Sequence, residues 1–368
     1  MIPWICKALL SRYPDLSFLR LADYITSRAI FAAVASFLLM LAIGRPVINW
    51  LYRRGVRDEI REYGLLPAWA KKGTPTMGGI LIMGVGLLMS LLWCKLNAFV
   101  LLTALAGAYF GLVGMYDDLL KKRGGSSDAG LSRSAKYALQ FGFGLGFAAL
   151  LLHPATSPLP AGLRTTLQVP FFKEFAFELS WLYVPFVMIM VSYAANAVNL
   201  ADGLDGLAIV PAFFVIIVYG VFAYIFGNKI LAQYFLFPYL SGSGELAVLC
   251  AGLLGTCVGF LWFNAYPAEV FMGDSGSLFL GGTIGALILL LKQEVLFFIV
   301  GGVFLAEIVS DVLQDWIGIK LLGRRILFRA PIHHTYQYRG IAETKVVVRF
   351  WIIAAILALV GIASLKIR

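Results

Sequence analysis

Aspartates gather in three short stretches of this sequence: YDD at 116–118, NAVNLADGLDG at 196–206 and FMGDSGS at 271–277. Two further polar clusters, KKGTPTMGG at 71–79 and APIHHTYQYRG at 330–340, contribute two lysines and two of the chain's three histidines. Each acid has a purely structural reading beside a chemical one. Asp117 and Asp118 end an apolar run and fit a solvated helix terminus. A helix C-terminus carries partial negative charge, however, and disfavours acids. Two of them there need a cation, which Lys121 and Lys122 or a metal would supply. In DGLDG, Asx-turn chemistry explains one Asp-Gly pair. Two pairs plus Asn196 and Asn199 exceed what a turn needs. Such a loop, with Asp202 and Asp205, can hydrogen-bond a nucleobase or sugar, or hold a cation.

Asp274 is a good N-cap for the apolar run that follows it. The glycines and helix-start N–H groups around it also form an anion site. A carboxylate beside such a site suits Mg²⁺, which takes one or two carboxylates plus substrate phosphates. Zinc is disfavoured, because there is no HExxH and acids outnumber histidines. Cys6, Cys94, Cys250 and Cys257 lack metal spacing and read as apolar fillers, and His153, before a proline, reads as incidental. Acids, Mg²⁺ and lysines are the equipment of phosphoryl transfer, where positioning and charge neutralisation carry most of the catalysis.

The elements that hold these residues are dictated by composition. Of 368 residues 60% are hydrophobic and only 14% charged, and the mean hydropathy is +0.86. A soluble domain is nearer half apolar and about a quarter charged. An ordinary soluble globule, a disordered chain and a disulfide scaffold are excluded. At roughly 20 residues per span, the sequence predicts an all-α integral membrane protein of about ten helices, a single polytopic domain over 1–368. Spans are expected near 24–44, 78–94, 98–116, 136–152, 181–199, 208–226, 247–263, 277–291, 295–316 and 349–366. The Gly-rich runs at 142–147 and 281–286 would let helices pack closely. No cleavable leader is expected in the first twelve residues.

Threading the spans alternately places all five polar clusters on one face. Lys and Arg number seven in 45–77, five in 117–136 and seven in 317–349, against eleven on the other side. By the positive-inside rule the clustered face is cytoplasmic and both termini face out. The net charge of +10 is read as this bias and as affinity for anionic substrates, with no nucleic-acid partner. On the outer face 163–178 alternates as a small β-hairpin, and 228–245 carries a short surface helix. On the inner face 318–329 reads as an amphipathic helix lying in the interface. Glu307, Asp311 and Gln314 fall at helical spacing along the ninth span, where they line a cavity or meet substrate.

Taken together, KKGTPTMGG, YDD, NAVNLADGLDGLA, FLWFNAYPAEVFMGDSGSL, APIHH and VVVRFWII resemble the polyprenyl-phosphate N-acetylhexosamine 1-phosphate transferase superfamily. Within it they are most similar to the phospho-N-acetylmuramoyl-pentapeptide-transferases. The resemblance spans nearly the whole chain, and six motifs in order are specific where one would be weak. It implies a Mg²⁺-dependent enzyme of the bacterial inner membrane, usually a homodimer. The implied reaction moves phospho-MurNAc-pentapeptide from UDP to undecaprenyl phosphate, giving lipid I and UMP for peptidoglycan synthesis. By motif position it implies catalytic roles for Asp117, Asp118, Asp274, His333 and His334, with Asp274 and Asp117 at the metal. It implies substrate contacts from Lys71, Thr76, Lys121, Lys136, Asn199, Asp202, Asp205, Asn264, Phe271 and Gln314. The chain departs from the family where a third histidine is expected, because that position is Thr335. Two other functions compete: a sister transferase using UDP-GlcNAc, and a proton-coupled transporter using Glu307 and Asp311. Transporters place acids at the midplane and show paired halves, which this sequence does not.

Overall fold

The computed structural model describes residues 1–56, 73–124, 129–172 and 176–367. The fold is helical, as composition requires. In chain order the helices are α1 (Ile2–Arg12), α2 (Ile25–Arg53), α3 (Gly79–Trp93), α4 (Ala98–Gly124), α5 (Arg133–Leu152), α6 (Tyr183–Ala201) and α7 (Ile209–Phe226). They continue with α8 (Lys229–Tyr234), α9 (Gly244–Asn264), α10 (Gly273–Leu290), α11 (Glu294–Val300), α12 (Gly302–Val312), α13 (Ile332–Tyr338) and α14 (Glu343–Ala363). Among the described residues, eight helices are long and apolar enough to cross a membrane: α2, α4, α5, α6 with its preceding turn, α7, α9, α10 and α14.

Two of the expected spans differ. Residues 78–94 form α3, whose 15 residues extend only about 22 Å, short of a ~30 Å hydrocarbon core. The stretch 295–316 is one hydropathic run but two helices, bent by 85° at Gly301. Hydropathy is blind to this break because both arms are apolar. The backbone continues from α12 as a π-helical segment, Leu313–Leu321. The expected interfacial helix over 318–329 therefore ends at Leu321. Beyond it the chain turns at Gly323, whose φ is 61°, and runs without regular structure to α13. Ile319, Leu322 and Ile326 remain exposed, so the apolar face exists without the helix.

The hairpin is present but short. Thr166–Gln168 (β1) pairs antiparallel with Ala176–Glu178 (β2), with Leu167 opposite Phe177. Gln168 reaches Gln293 just past the C-terminal end of α10, so the hairpin lies at the end of the bundle opposite Asp274. The expected surface helix is α8, capped by Asn228 Oδ1, which accepts from the N–H groups of Ile230 and Leu231.

The bundle is built around α10, whose apolar window is 89% buried, against 22% for α2 and 33% for α14. Helix α10 packs on α3, α4, α6 and α7. Small residues make this possible. Gly281 meets the backbone of Ala195, Gly282 the ring of Phe110, and Gly285 Val191. At Gly114 of α4 a Cβ would collide with the carbonyl of Asp274. Of the glycines in 142–147 only Gly144 lies in a contact, against Met188. Gly142 and Gly146 face open space. Gly114→Ala is expected to force α4 away from α10 and to destabilise by about 1–3 kcal/mol, as overpacking does. A thermal unfolding midpoint unchanged from the parent would contradict this packing.

Candidate active site

The last full turns of α4 point two carboxylates at the first turn of α10. Asp118 Oδ1 accepts from the N–H of Asp274 at 3.1 Å, and Oδ2 from the N–H of Ser275 at 3.0 Å. The start of α10 has no cap from its own chain segment, and Asp118 supplies one from another helix. These N–H groups, expected to be open to an anion, are thus already engaged. Gly273 makes the approach possible: its φ is 72°, and a Cβ would sit 3.0 Å from Asp118 Oδ2 and 3.1 Å from Thr76 Oγ1. Loss of a cap typically costs ~1 kcal/mol. Asp118→Ala is expected to lower stability by about that amount in addition to any loss of turnover. Asp118→Asn, which keeps one acceptor, should lower it less, as read by thermal unfolding in detergent.

Asp117 is fully buried and its oxygens are all engaged. Oδ1 accepts from the N–H of Leu131 at 2.6 Å. Oδ2 accepts from Lys121 Nζ at 2.8 Å and Lys136 Nζ at 2.9 Å. The same two ammonium groups reach Asp274 Oδ2, at 3.0 and 2.9 Å. Asp274 Oδ1 accepts from Asn199 Nδ2 at 2.9 Å, and Asn199 also donates to Ser277 Oγ. Two lysines therefore bridge two carboxylates, with the four residues drawn from α4, α5 and α10. Carboxylate oxygens of Asp117, Asp118 and Asp274 lie within 4.8 Å of one another, a spacing that can hold a metal ion. Each carboxylate keeps acceptor capacity after these bonds.

The Asp-rich loop after α6 borders this cluster. Burial, followed by the charges of Asp274, Asp118 and Asp205, pushes the Asp202 carboxyl up to about 8. Asp202 is therefore a neutral hydrogen-bond donor at pH 7 when no cation offsets its neighbours. Asp205 turns inward: its Oδ2 accepts from the N–H of Ala268, and its own N–H donates to Glu343 Oε1. Asn264 is a buried brace, accepting from the N–H of Gly206 and donating to the carbonyl of Val270. Trp351 Nε1 donates to the carbonyl of Gly206. Thus VVVRFWII of α14, which in the sequence is only a motif, supplies a strut to the loop.

Phe271 is half-buried. The N–H of Phe271 donates to Pro75 and its carbonyl accepts from Gly78, so GTPTMGG is laced to FMGD through backbone. Gln314 is further off in its contacts. Its Oε1 accepts from the N–H groups of Ile326 and Leu327 and secures the loop beyond the π-helical segment. Lys71 lies outside the described residues. His333 pairs with Glu307, Nδ1 to Oε2 at 3.0 Å, and its ring abuts Gly203. His334 Nδ1 lies 3.0 Å from Gln337 Oε1. Thr335, in place of the third histidine, is buried and ties the backbone of Arg329 through both its N–H and carbonyl.

Burial, then the neighbouring His333 and Arg329, holds the His334 imidazole down at about 4. In an unfolded chain it would titrate near 6.5. The unfolded state then binds more protons between those values, so this contribution to stability is present above pH 6.5 and is lost as pH falls through 4. His334→Gln is expected to reduce the drop in unfolding temperature between pH 7 and pH 5. An identical drop would refute the assignment.

Sequence reasoning misses several residues of this constellation. The Leu131 N–H and Glu343 carry no motif signal. Gln140 and Ser192 join Asn196, already singled out in the sequence, in a partly buried polar network that links α5 to α6, one turn from Lys136 and from Asn199. Polar residues at helical spacing in apolar spans are the clue that finds them.

The fold thus brings a cluster of carboxylates and lysines together at one end of a bundle of apolar helices long enough to cross a membrane. A family model described as glycosyl transferase family 4 matches residues 98–292, and phospho-N-acetylmuramoyl-pentapeptide-transferase signature 1 matches 71–83. Curated relatives of that name include one from Desulfotalea psychrophila, 46% identical over 94% of this chain and 94% of its own. Another, from Citrifermentans bemidjiense, is 46% identical over 96% and 97%. A third, from Nitratidesulfovibrio vulgaris, is 43% identical over 96% and 97%. The chain belongs to the phospho-N-acetylmuramoyl-pentapeptide-transferase family.

Proposed function

We propose that the protein transfers phospho-MurNAc-pentapeptide from its UDP carrier to undecaprenyl phosphate, giving lipid I and UMP for peptidoglycan synthesis. The observation that carries this reading is the meeting of Asp117, Asp118 and Asp274 with Lys121 and Lys136 at the start of α10. An oxygen of the acceptor phosphate bonds to the sugar-linked phosphorus while that phosphorus releases the bridging oxygen to UMP. One phosphoanhydride replaces another, and little driving force is needed. Lys121 and Lys136, already aligned on two carboxylates, exchange part of that pairing for phosphate oxygens and hold the reacting groups in line.

At neutral pH a phosphate monoester is largely ionised. Asp117, with both oxygens engaged by three donors, is a positioning charge for the two lysines rather than a proton acceptor. Asp274 and Asp117 would hold Mg²⁺, with Asp118 behind them. When bound, Mg²⁺ neutralises charge on the diphosphate and on the departing UMP. Asp202 and the half-buried Phe271 border the same space and suit the edge and face of a uracil. Asp205, Asn264 and Gln314 are assigned to bracing the substrate-facing loops, and Lys71 is assigned to substrate contact by its motif alone.

The location that fits is the bacterial inner membrane, with this end of the bundle cytoplasmic. The support is the excess of Lys and Arg in the segments on that side. The protein is proposed to work as a homodimer, as the resemblance implies.

The deciding assay is UMP release by purified protein in detergent with undecaprenyl phosphate and Mg²⁺. Turnover of UDP-MurNAc-pentapeptide and not of UDP-GlcNAc is expected. Turnover of UDP-GlcNAc alone would keep the phosphoryl-transfer site and discard the sugar assignment. In the same assay Asp117→Asn is expected to lose about 10²-fold, since the lysines lose a fixed counter-charge. Turnover within a few-fold of the parent would remove Asp117 from the mechanism.

A further inference from the structure

The two ring nitrogens of the buried His333 have different surroundings. Nδ1 faces Glu307 Oε2 at 3.0 Å. Nε2 is buried and has no hydrogen-bond partner among the described residues. It lies against Gly203, where any Cβ would collide with it, and Gly203 itself is exposed. The nitrogen therefore sits one glycine beneath the loop that carries Asp202 and Asp205.

Glu307 is fully buried on α12 and is held firmly. Ser310 Oγ donates to the Glu307 carbonyl at 2.7 Å and accepts from the N–H of Ile332 at 2.9 Å. One turn of α12 thus fixes both the start of α13 and the ring that α13 carries. An imidazole that donates from Nδ1 to a carboxylate has its lone pair on Nε2. A buried acceptor left unmet is costly, and an apolar side chain would fill this space without that cost.

We infer that Glu307 is a positioning residue for His333: it holds the Nδ1–H tautomer so that Nε2 stays an acceptor, which a hydroxyl or N–H of the nucleotide-linked substrate meets when the Gly203 backbone that covers it shifts aside. The substrate half of this inference rests on the function proposed above; the tautomer half does not. Thr335 plays no part in it, since its hydroxyl is committed to Arg329.

The chain has three histidines, which makes the test direct. Protein labelled with ¹⁵N-histidine is purified in detergent, and signals are assigned with His153→Asn and His334→Asn variants. The parent is expected to show His333 neutral, with Nδ1 protonated and Nε2 bare. In Glu307→Gln the amide can donate to Nδ1, and the proton should move to Nε2. In that variant kcat/KM for UDP-MurNAc-pentapeptide should fall about tenfold or more. The KM for undecaprenyl phosphate should stay within about twofold. Glu307→Asp should recover the parent tautomer and part of the rate, which separates positioning from a folding defect.

An imidazolium or an Nε2–H tautomer in the parent would overturn the inference. So would a proton shift in Glu307→Gln with turnover unchanged, or lost turnover with no proton shift. If the parent shows the Nδ1–H tautomer and fails to turn over any UDP-sugar, the substrate half and the proposed function fall together. The tautomer half then stands on the spectra alone.

Discussion

Asp274→Asn is expected to lower the rate of UMP release by about 10²–10³-fold, the magnitude typical of removing one preorganised charge from a transfer site. Asp274 Oδ2 receives both Lys121 and Lys136, and Oδ1 receives Asn199. An asparagine fills the same volume and still offers one acceptor. It withdraws the negative charge that two ammonium groups share, and it removes a hard oxygen donor from the carboxylate triad. The fold should survive, because the Asp274 N–H still reaches Asp118 and the α4–α10 contact at Gly114 is untouched. The loss should therefore lie in kcat with an unfolding temperature close to the parent's. A variant that retains a tenth of parental turnover would show that the bridged lysines do not act through Asp274. Raising Mg²⁺ should restore little, since the variant lacks the donor rather than the ion.

The largest effect on stability is expected far from that site. Arg28 is 1% exposed at the start of α2, and Glu245 receives it bidentately at 2.6 and 2.7 Å. The N–H of Lys95 also donates to Glu245, at 2.8 Å, and Arg28 donates to the Trp93 carbonyl. Helices α2 and α9 and the chain leaving α3 thus meet on one ion pair at the end of the bundle opposite Asp274. Glu245→Ala leaves a guanidinium buried without its partner, and this typically costs about 3–5 kcal/mol. The double variant Arg28→Met, Glu245→Leu removes both charges and should recover most of that loss, as buried pairs replaced by apolar groups often do. Unfolding temperatures in one detergent would decide it. A single variant within about 1 kcal/mol of the parent would mean the pair is solvated. Turnover of the folded fraction should be unaffected in either case.

Acids in an apolar chain are costly to place, and for that reason the carboxylate cluster is legible in the sequence itself. YDD, DGLDG and GDSGS each stand out against their surroundings, and the fold brings all three to the start of α10. What the aspartates do individually is less legible. Asp118 caps a helix it does not belong to, and no spacing rule links position 118 to 274. Motif position puts Asn264 and Gln314 at the substrate, yet their bonds go to backbone at Gly206, Val270, Ile326 and Leu327. Long-range bracing leaves no local trace in sequence. The break at Gly301 is hidden for a related reason. Hydropathy averages over a window and reports that both arms are apolar, while the bend is set by where α11 and α12 find partners. The hairpin, by contrast, is readable from alternation alone, and its register follows from the pairing of Leu167 with Phe177.

Helix α10 has almost no surface for lipid, since 89% of its apolar window is enclosed by other helices. The bilayer therefore presses on α2, α5 and α14, which are mostly unburied, and on the exposed stripes of α4 and α6, and it reaches Asp274 only through helices other than its own. A change in acyl-chain length tilts the rim helices first; Lys136 rides on one of them, α5, while Asp274 hangs from the inner post. The protein thus joins, in one cluster, a carboxylate on an enclosed helix to an ammonium on a helix that meets lipid.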